Sequence, residues 1–283
     1  MRQFTNMGFI PSRLSKQHNT WQNMKNLRKY GKAPFNVAVI HGGPGVPGEM
    51  APVARQLSAD WGILEPLQTA ISIEGQVQEL RTILKKNGSL SMTLIGHSWG
   101  AWLIFIVSTQ HPSLAKKLIL VGSGPFEEKY ASKSMETRLS RLNKEEKKEV
   151  LSLMEILNSP ETENKSTAMT KLGKLMNKTD TYDPLPHNSE TLHCQQEIFQ
   201  KVWPEADELR KSGKLLQLGK QITCPVVAIH GDYDPHPAQG VKDPLSRILK
   251  NFRFITLENC GHNPWIERHA KDKFYQILKE ELP

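Results

Sequence analysis

The stretch that decides the fold is SMTLIGHSWG, residues 91–100, where a mostly apolar run leads directly into a Gly-x-Ser-x-Gly turn. Residues 99–110 are then spaced as in a helix, which ends before Pro112. A strand, a tight turn and a helix form the context that lifts a serine above the edge of a sheet, because glycines on both sides let the backbone turn sharply. The sequence therefore predicts Ser98 as a nucleophile, against the alternative of a passive serine in a glycine-rich turn.

Apolar runs on either side of this turn predict further strands, at residues 36–40, 61–66, 117–121, 225–229 and 252–257. Amphipathic stretches predict helices, at residues 49–58, 72–86 and 265–281. Continuous apolar strands that alternate with helices are typical of a mostly parallel sheet with helices on both faces. The predicted fold class is therefore α/β.

Residues 125–222 break the alternation, because they contain helical patterns but no convincing strand. One pattern covers 143–158, where Asn143 and Glu146 have the spacing of a capping box, and another covers 190–203. The polar residues 158–183 read as a mobile link between helices. We predict a core formed by residues 1–124 and 223–283, with 125–222 as a helical lid over the carboxyl ends of the strands, where ligands bind in open α/β sheets.

The composition limits the class of protein. Of 283 residues, 38% are apolar and 23% are charged, which excludes a disordered or collagen-like chain. The longest apolar run, residues 101–107, is too short to cross a membrane, and the first residues lack the apolar core of a secretory signal. Three widely spaced cysteines without a Cys-x-x-Cys pair exclude a disulfide scaffold and a cysteine-rich zinc site. We expect a cytoplasmic protein without stable membrane insertion.

The net charge of +8 reflects 37 basic and 29 acidic side chains. Seven of the basic and none of the acidic side chains fall in residues 1–48, which we expect to supply an edge of the sheet and a solvated leading segment. The rest of the chain is nearly neutral and contains no module with clustered basic and stacking residues. The sequence therefore predicts no nucleic-acid partner.

A serine hydroxyl becomes a nucleophile only when a base removes its proton. Of the ten histidines, His262 lies in the loop NCGHNP, residues 259–264, between the last predicted strand and the last predicted helix. That loop is expected at the same sheet edge as Ser98. His230 ends its strand, and His97 lies inside the turn, where its side chain points away from Ser98. His262 is therefore the predicted base.

The segment HGDYDPH, residues 230–236, contains two candidates for the acid that orients this base. Asp234 is preferred, because the Gly-x-x-Asp spacing lets the chain turn before it presents a carboxylate to the last loop. Asp232 is the reserve acid, and its alternative role is to bind backbone amides of the turn. The two histidines and two aspartates also suit a metal site, but the serine, histidine and acid already account for the cluster, so we expect no metal or organic cofactor.

Attack on a carbonyl creates an oxyanion, which needs two preorganised N–H donors. The backbone N–H of Trp99, the residue after the nucleophile, is one candidate. The loop HGGPG, residues 41–45, offers the other, with Gly43 preferred and Gly42 as the alternative. This loop lacks the Lys-Ser/Thr pair of a phosphate-binding loop and the Gly-x-Gly-x-x-Gly spacing. An oxyanion hole is therefore the better interpretation.

Together these motifs resemble those of the α/β-hydrolase superfamily, and most closely its proline iminopeptidase-like serine hydrolases, over residues 36–124 and 223–283. The resemblance implies an α/β-hydrolase fold with an inserted helical lid. It also implies Ser98 as nucleophile, His262 as base and Asp234 as acid, in the order along the chain that this superfamily uses. Gly43 and Trp99 become the implied oxyanion donors.

Two departures from proline iminopeptidases bear on the substrate. Those enzymes carry Asp-Gln-Arg-Gly after the strand that follows the oxyanion loop, where this chain has LEPLQ at residues 64–68. Their lid carries Arg-Ile-Glu-Asn-His-Tyr-Phe, whose glutamate holds the free amine of the substrate, and nothing in 125–222 matches it. Glu197 and Glu205 are the carboxylates available to replace that glutamate.

The sequence therefore predicts a serine hydrolase that cleaves an ester or amide bond of a small substrate through an acyl-enzyme on Ser98. One alternative is an aminopeptidase that acts on short peptides. The other, of a different class, is a non-catalytic protein that binds a small ligand on the same fold.

Overall fold

A computed structural model describes residues 26–159, 165–187, 191–192 and 195–283. Several features singled out in the sequence lie outside these ranges. They are most of the basic leading segment (1–25), part of the predicted link (160–164), the cysteine at position 194 and part of the start of the helix predicted at 190–203.

The core is a seven-stranded sheet with strand order β1-β3-β2-β4-β5-β6-β7. The strands are β1 (Leu27–Tyr30), β2 (Phe35–Ile40), β3 (Gly62–Pro66), β4 (Met92–His97), β5 (Ala115–Val121), β6 (Val226–Gly231) and β7 (Phe252–Leu257). All neighbours pair in parallel except β1, which is antiparallel to β3 at one edge. The six predicted strands are present, and the expected edge contribution of the basic leading segment is β1.

Helices cover both faces of the sheet, as predicted. One face packs against α1 (Ala51–Leu57) and α10 (Lys271–Glu281). The other packs against α2 (Ile73–Asn87), α3 (Trp99–Gln110) and α9 (Gln239–Ile248). Alternate residues of each strand serve the two faces: in β2, Val37 and Val39 join the first core, and Ala38 and Ile40 the second.

The connection from β5 to β6 carries α4 (Ala131–Ser140), α5 (Lys144–Asn158), α6 (Ser166–Asp180), α7 (Gln196–Lys211) and α8 (Lys214–Leu218). The capping box predicted at Asn143 and Glu146 is present at the start of α5. Within the described ranges, no helix is long and apolar enough to cross a membrane.

Two predictions in this connection were wrong. Residues 166–180 of the expected link form α6, because its apolar residues, although few, recur at helical spacing and pack against α5. Helix α7 continues beyond 203 to Lys211 with Pro204 inside it. A proline normally ends a helical pattern, and here the packing of the buried residues around it outweighs the lost hydrogen bond.

The last helix is held in the core by Phe274, whose side chain is fully buried and contacts the rings of Trp265 and Tyr275. Truncation in Phe274→Ala should lower the free energy of unfolding by about 3–5 kcal/mol, because a cavity remains where the ring was. Phe274→Leu keeps most of the volume and should lose less than about 2 kcal/mol. Urea denaturation followed by circular dichroism measures both, and equal midpoints for the two variants would contradict this packing.

Candidate active site

Ser98 occupies a strained turn between β4, which ends at His97, and α3, which begins at Trp99. Its backbone has φ +51° and ψ −114°, which is uncommon for a residue with a side chain. A Cβ at Gly96 would lie 2.3 Å from the carbonyl oxygen of Gly100, and one at Gly100 would lie 2.4 Å from that of Ile40. Both glycines are therefore required by contact with backbone, and the strain presents Ser98 at the end of the strand.

The structure brings His262 and Asp234 together. The Nδ1–H of His262 donates to Oδ2 of Asp234 at 2.7 Å, and both side chains are buried. The carboxylate of Asp232 instead accepts the backbone N–H of Cys260 at 3.1 Å, so it stabilises the turn. Of the two acids that the sequence left open, Asp234 is the one that contacts the histidine.

This pair packs directly against the backbone at the end of β5. Gly122 has φ +52°, and a Cβ there would lie 3.1 Å from Nδ1 of His262 and 3.3 Å from Oδ2 of Asp234. The sequence reasoning did not single out Gly122, although the glycines of Val121-Gly122-Ser123-Gly124, directly after a strand, were a visible signal. The absence of a side chain leaves the space that the hydrogen-bonded pair fills.

Burial and charge act in opposite directions on the pair. Burial by itself would raise the pKa of Asp234, but the neighbouring His262, His230 and His236 hold it well below its ordinary value. Burial would lower the pKa of His262, but the charge and hydrogen bond of Asp234 raise it above 6.5. Asp234 is therefore ionised at neutral pH and stabilises a proton on His262.

Ser98 is connected to this pair through its neighbour His97. Within the described residues, no hydrogen bond joins the Ser98 hydroxyl to the His262 ring. The rings of His97 and His262 have centroids 4.6 Å apart, which places His262 against the turn that carries Ser98. Catalytic hydrogen bonds often tighten only when substrate is bound.

The glycine-rich loop after β2 lies against Ser98. A Cβ at Gly42 would be 3.2 Å from Cβ of Ser98. The N–H of Gly42 donates to Oε2 of Glu49 at 2.8 Å, so it is not available to an oxyanion. In the part of the chain that the structure describes, the N–H groups of Gly43 and Trp99 donate to no other group. The two preferred donors are thus unpaired, and the alternative donor is occupied.

His236 is a second histidine on the acid, and the sequence reasoning assigned it no role in orienting that acid. Its backbone N–H and its Nδ1 both lie 2.9 Å from Oδ1 of Asp234. Burial, which outweighs the attraction of Asp234, lowers the pKa of His236 to about 4, so the ring is neutral near pH 7. Asp234, His236 and His262 are close enough to hold a metal ion. However, both Nδ1 atoms face carboxylate oxygens at hydrogen-bond distance, and protons on these nitrogens account for the cluster.

The β5–β6 connection braces the loop that carries His262. The carbonyl of Asp180 accepts the backbone N–H of His262 at 2.7 Å, and the carboxylate of Asp180 binds Arg138 through two hydrogen bonds. The fully buried carboxylate of Glu267 accepts the N–H groups of Gly261, Tyr182 and Asp183. The sequence reasoning missed these contacts because it treated Asp180, Tyr182 and Asp183 as part of a mobile link.

The two carboxylates considered as amine ligands have other partners. Oε2 of Glu205 accepts the backbone N–H of Ile73 at the start of α2, at 2.8 Å. Glu197 pairs with Lys201 on its own helix, and its side chain is 70% exposed. Neither contact resembles a site prepared for the amine of a substrate.

Comparison with known proteins agrees with the observed fold. Residues 65–268 match the family model of the α/β-hydrolase fold. A proline iminopeptidase of Lactobacillus delbrueckii subsp. bulgaricus is 23% identical, over 86% of this chain and 88% of its own. Among solved structures, VinJ has a TM-score of 0.64 at 15% identity and covers 90% of this chain and 93% of its own. A proline iminopeptidase of Mycobacterium smegmatis has a TM-score of 0.58 at 14% identity, with the same coverage. At these identities the two structures show the fold alone.

The role of Gly122 can be tested with a matched pair of variants. Gly122→Ala should slow covalent labelling of Ser98 by a fluorophosphonate roughly 10- to 100-fold, because a methyl group there displaces the His262–Asp234 pair. Gly213→Ala is the control, since Gly213 also has a left-handed φ, of +72°, but a Cβ there would contact nothing within 4 Å. If Gly122→Ala is labelled as fast as Gly213→Ala, the contact of a Cβ with the His262–Asp234 pair is not what requires a glycine at this position.

Proposed function

The chain belongs to the α/β-hydrolase fold family, and from that membership we propose that it is a serine hydrolase that cleaves an ester or amide bond of a small substrate. The observation that carries the proposal is the 2.7 Å hydrogen bond between His262 and Asp234 at the strand edge where Ser98 is held. A protein that only binds a ligand has no need of an ionised, buried acid on a histidine beside a strained serine.

In the proposed mechanism, Oγ of Ser98 attacks the carbonyl carbon while Nε2 of His262 takes the hydroxyl proton. Asp234 holds the Nδ1–H of His262 and stabilises the imidazolium. The N–H groups of Gly43 and Trp99 bind the oxyanion. Collapse of the tetrahedral intermediate expels the leaving group, which receives the proton from His262. Water, deprotonated by His262, then hydrolyses the acyl-enzyme and releases the acid.

Residues 125–222 act as the lid in this proposal, over a core formed by 1–124 and 223–283. The support is direct contact with the oxyanion loop: the N–H of Gln195 donates to the carbonyl of Gly45, and that of Leu192 to Pro47, both at 2.8 Å. A Cβ at Gly45 would lie 2.7 Å from the carbonyl oxygen of Gln195. The lid therefore bounds the space beside the oxyanion hole and selects the substrate.

An aminopeptidase is the second candidate, favoured by the sequence similarity to a proline iminopeptidase. The contacts of Glu197 and Glu205 described above count against it, since an aminopeptidase needs a carboxylate directed at the substrate's amine. Short-chain aryl esters compared with aminoacyl anilides separate the two candidates. Faster turnover of the anilides, relative to their uncatalysed rates, would favour the aminopeptidase.

Replacing the nucleophile tests the proposal itself. Ser98→Ala should lower kcat for an aryl ester about 10⁴-fold or more, because the remaining base and oxyanion donors cannot form an acyl-enzyme. A fluorophosphonate should label the wild-type chain at Ser98 and leave Ser98→Ala unlabelled. Ser58→Ala, which removes the hydroxyl of a half-buried serine after α1, is the control. Near-normal turnover by Ser98→Ala would refute a serine mechanism, and an unlabelled, inactive wild type would favour a ligand-binding protein.

The pH dependence tests the assignment of the acid. His262 must be neutral to accept a proton, so kcat/KM should rise with pH through a midpoint above 6.5. The same raised pKa contributes stability below pH 6.5 that is lost as pH rises through the pKa of the folded state, so activity and this stability term change in opposite directions. Asp234→Asn should lower the midpoint and reduce kcat by about 10⁴-fold. Asp232→Asn can still accept the N–H of Cys260 and should keep the wild-type midpoint; the reverse pattern would make Asp232 the acid.

A further inference from the structure

Glu49 lies in the loop between the oxyanion loop and α1 and contacts two catalytic segments at once. Its Oε2 accepts the N–H of Gly42 at 2.8 Å and lies 2.9 Å from Nδ1 of His97. Its side chain is 21% exposed, whereas that of His97 is 1% exposed. The proposed mechanism uses neither side chain, although both adjoin the residues that it does use.

His97 is held through both ring nitrogens. While Nδ1 faces Glu49, Nε2 lies 3.1 Å from the backbone carbonyl oxygen of His262. A carbonyl oxygen can only accept, so Nε2 carries a proton. The ring is further fixed between that of His262, at 4.6 Å, and that of Trp265, which meets it edge-on at 4.7 Å.

One more proton lies between His97 and Glu49, and two placements satisfy the distances. The proton is either on Nδ1, which gives an imidazolium and a carboxylate, or on Glu49, which gives two neutral groups. Burial alone would raise the pKa of Glu49. The charge and hydrogen bond of His97, together with the N–H of Gly42, outweigh burial and lower that pKa to about 2. The carboxylate form of Glu49 therefore prevails, and because a carboxylate oxygen can only accept, the Nδ1 of His97 that faces it at 2.9 Å carries a proton.

We propose that Glu49, which is half-buried, and His97, which is buried, form an ionic clamp that positions the catalytic loops. The clamp links the oxyanion loop through Gly42, the turn that carries Ser98 through His97 itself, and the histidine loop through the carbonyl of His262. Neither residue touches a reacting atom, so both are positioning residues. This role rests on the proposed serine hydrolysis, while the charge state of His97 does not.

The clamp has a direct consequence for the oxyanion hole. Gly42 directly precedes Gly43, whose N–H binds the oxyanion in the proposed mechanism. The hydrogen bond from the N–H of Gly42 to Glu49 fixes the adjacent peptide and therefore the direction of the Gly43 N–H. His97 precedes Ser98 in the same way. A loss of charge at Glu49 therefore weakens stabilisation of the transition state more than it weakens binding of the substrate. It should lower kcat without raising KM.

The first test reads the protonation of His97 in the unmodified protein. Nitrogen-15 NMR of the ¹⁵N-histidine-labelled chain at pH 7 should show a histidine with both ring nitrogens protonated whose signals are lost in His97→Gln. In Glu49→Gln the side-chain amide can donate to Nδ1, so the ring should become neutral with one proton, on Nε2. A wild-type His97 ring with a bare Nδ1 would overturn the proposal, whether or not the variants fold.

The second test reads the positioning. Glu49→Gln should lower kcat for the aryl ester about 10-fold, with KM within about twofold of wild type. Glu281→Gln is the matched control: this carboxylate is 10% exposed, pairs with Lys117 at 2.8 Å and lies at the opposite end of β5 from the site. It should lose stability without a change in kcat. Unchanged kcat in folded Glu49→Gln would overturn the clamp, whereas a wild type that is not labelled at Ser98 would overturn the hydrolase proposal and leave the NMR result standing.

Discussion

The bond between His262 and Asp234 is the interaction on which the rest of the site depends, because it joins loops after two different strands. Parallel strands end at one edge, and the loops beyond them have no ladder of their own to fix their spacing. Three neighbouring residues each restrict the movement of these two side chains. Gly122 leaves the space, His236 occupies the second carboxylate oxygen, and Asp180 holds the backbone of His262. These contacts fix the orientation of the imidazole.

Buried or half-buried carboxylates connect these loops at three places. Glu49 accepts an N–H from the oxyanion loop, Asp234 one from its own loop, and Glu267 three from the histidine loop and the β5–β6 connection. An unpaired buried charge would cost several kcal/mol, roughly, but charge-assisted bonds to backbone N–H groups offset that cost and fix direction as well as distance. A carboxylate can also accept several N–H groups at once, which a neutral side chain of the same size does less well. The site is therefore preorganised by charged groups, and two of them, Glu49 and Glu267, take no part in the proposed chemistry.

The sequence predicts those parts of the molecule that local pattern determines. Contiguous apolar residues predict the strands. The glycines on both sides of Ser98 predict the tight turn, because their spacing suits that backbone conformation. The choice between Asp232 and Asp234 stayed open, because two residues of loop decide which carboxylate reaches His262. Helix α6 was missed because its apolar face is short and its surface polar, so that packing against α5, and not local propensity, makes it a helix. No local sequence pattern could predict the role of Glu267, because Tyr182, whose N–H it accepts, is 85 residues away in the chain.

The β5–β6 connection, which is the proposed lid, also holds the loops beneath it in place. A cover that only excludes water can be exchanged without effect on the catalytic groups, but here Asp180 binds the backbone of His262 and Gln195 binds the oxyanion loop. In the proposed function, the segment that bounds the substrate therefore also holds the base and the loop that carries an oxyanion donor. The proposal implies that a substrate that shifts this segment on binding alters the alignment of the base. Selection of the substrate and rate of the chemical step would then be coupled through the same backbone hydrogen bonds. Specificity in such a site is expressed in kcat as well as in KM, because a substrate that fits the lid poorly also leaves the base poorly placed.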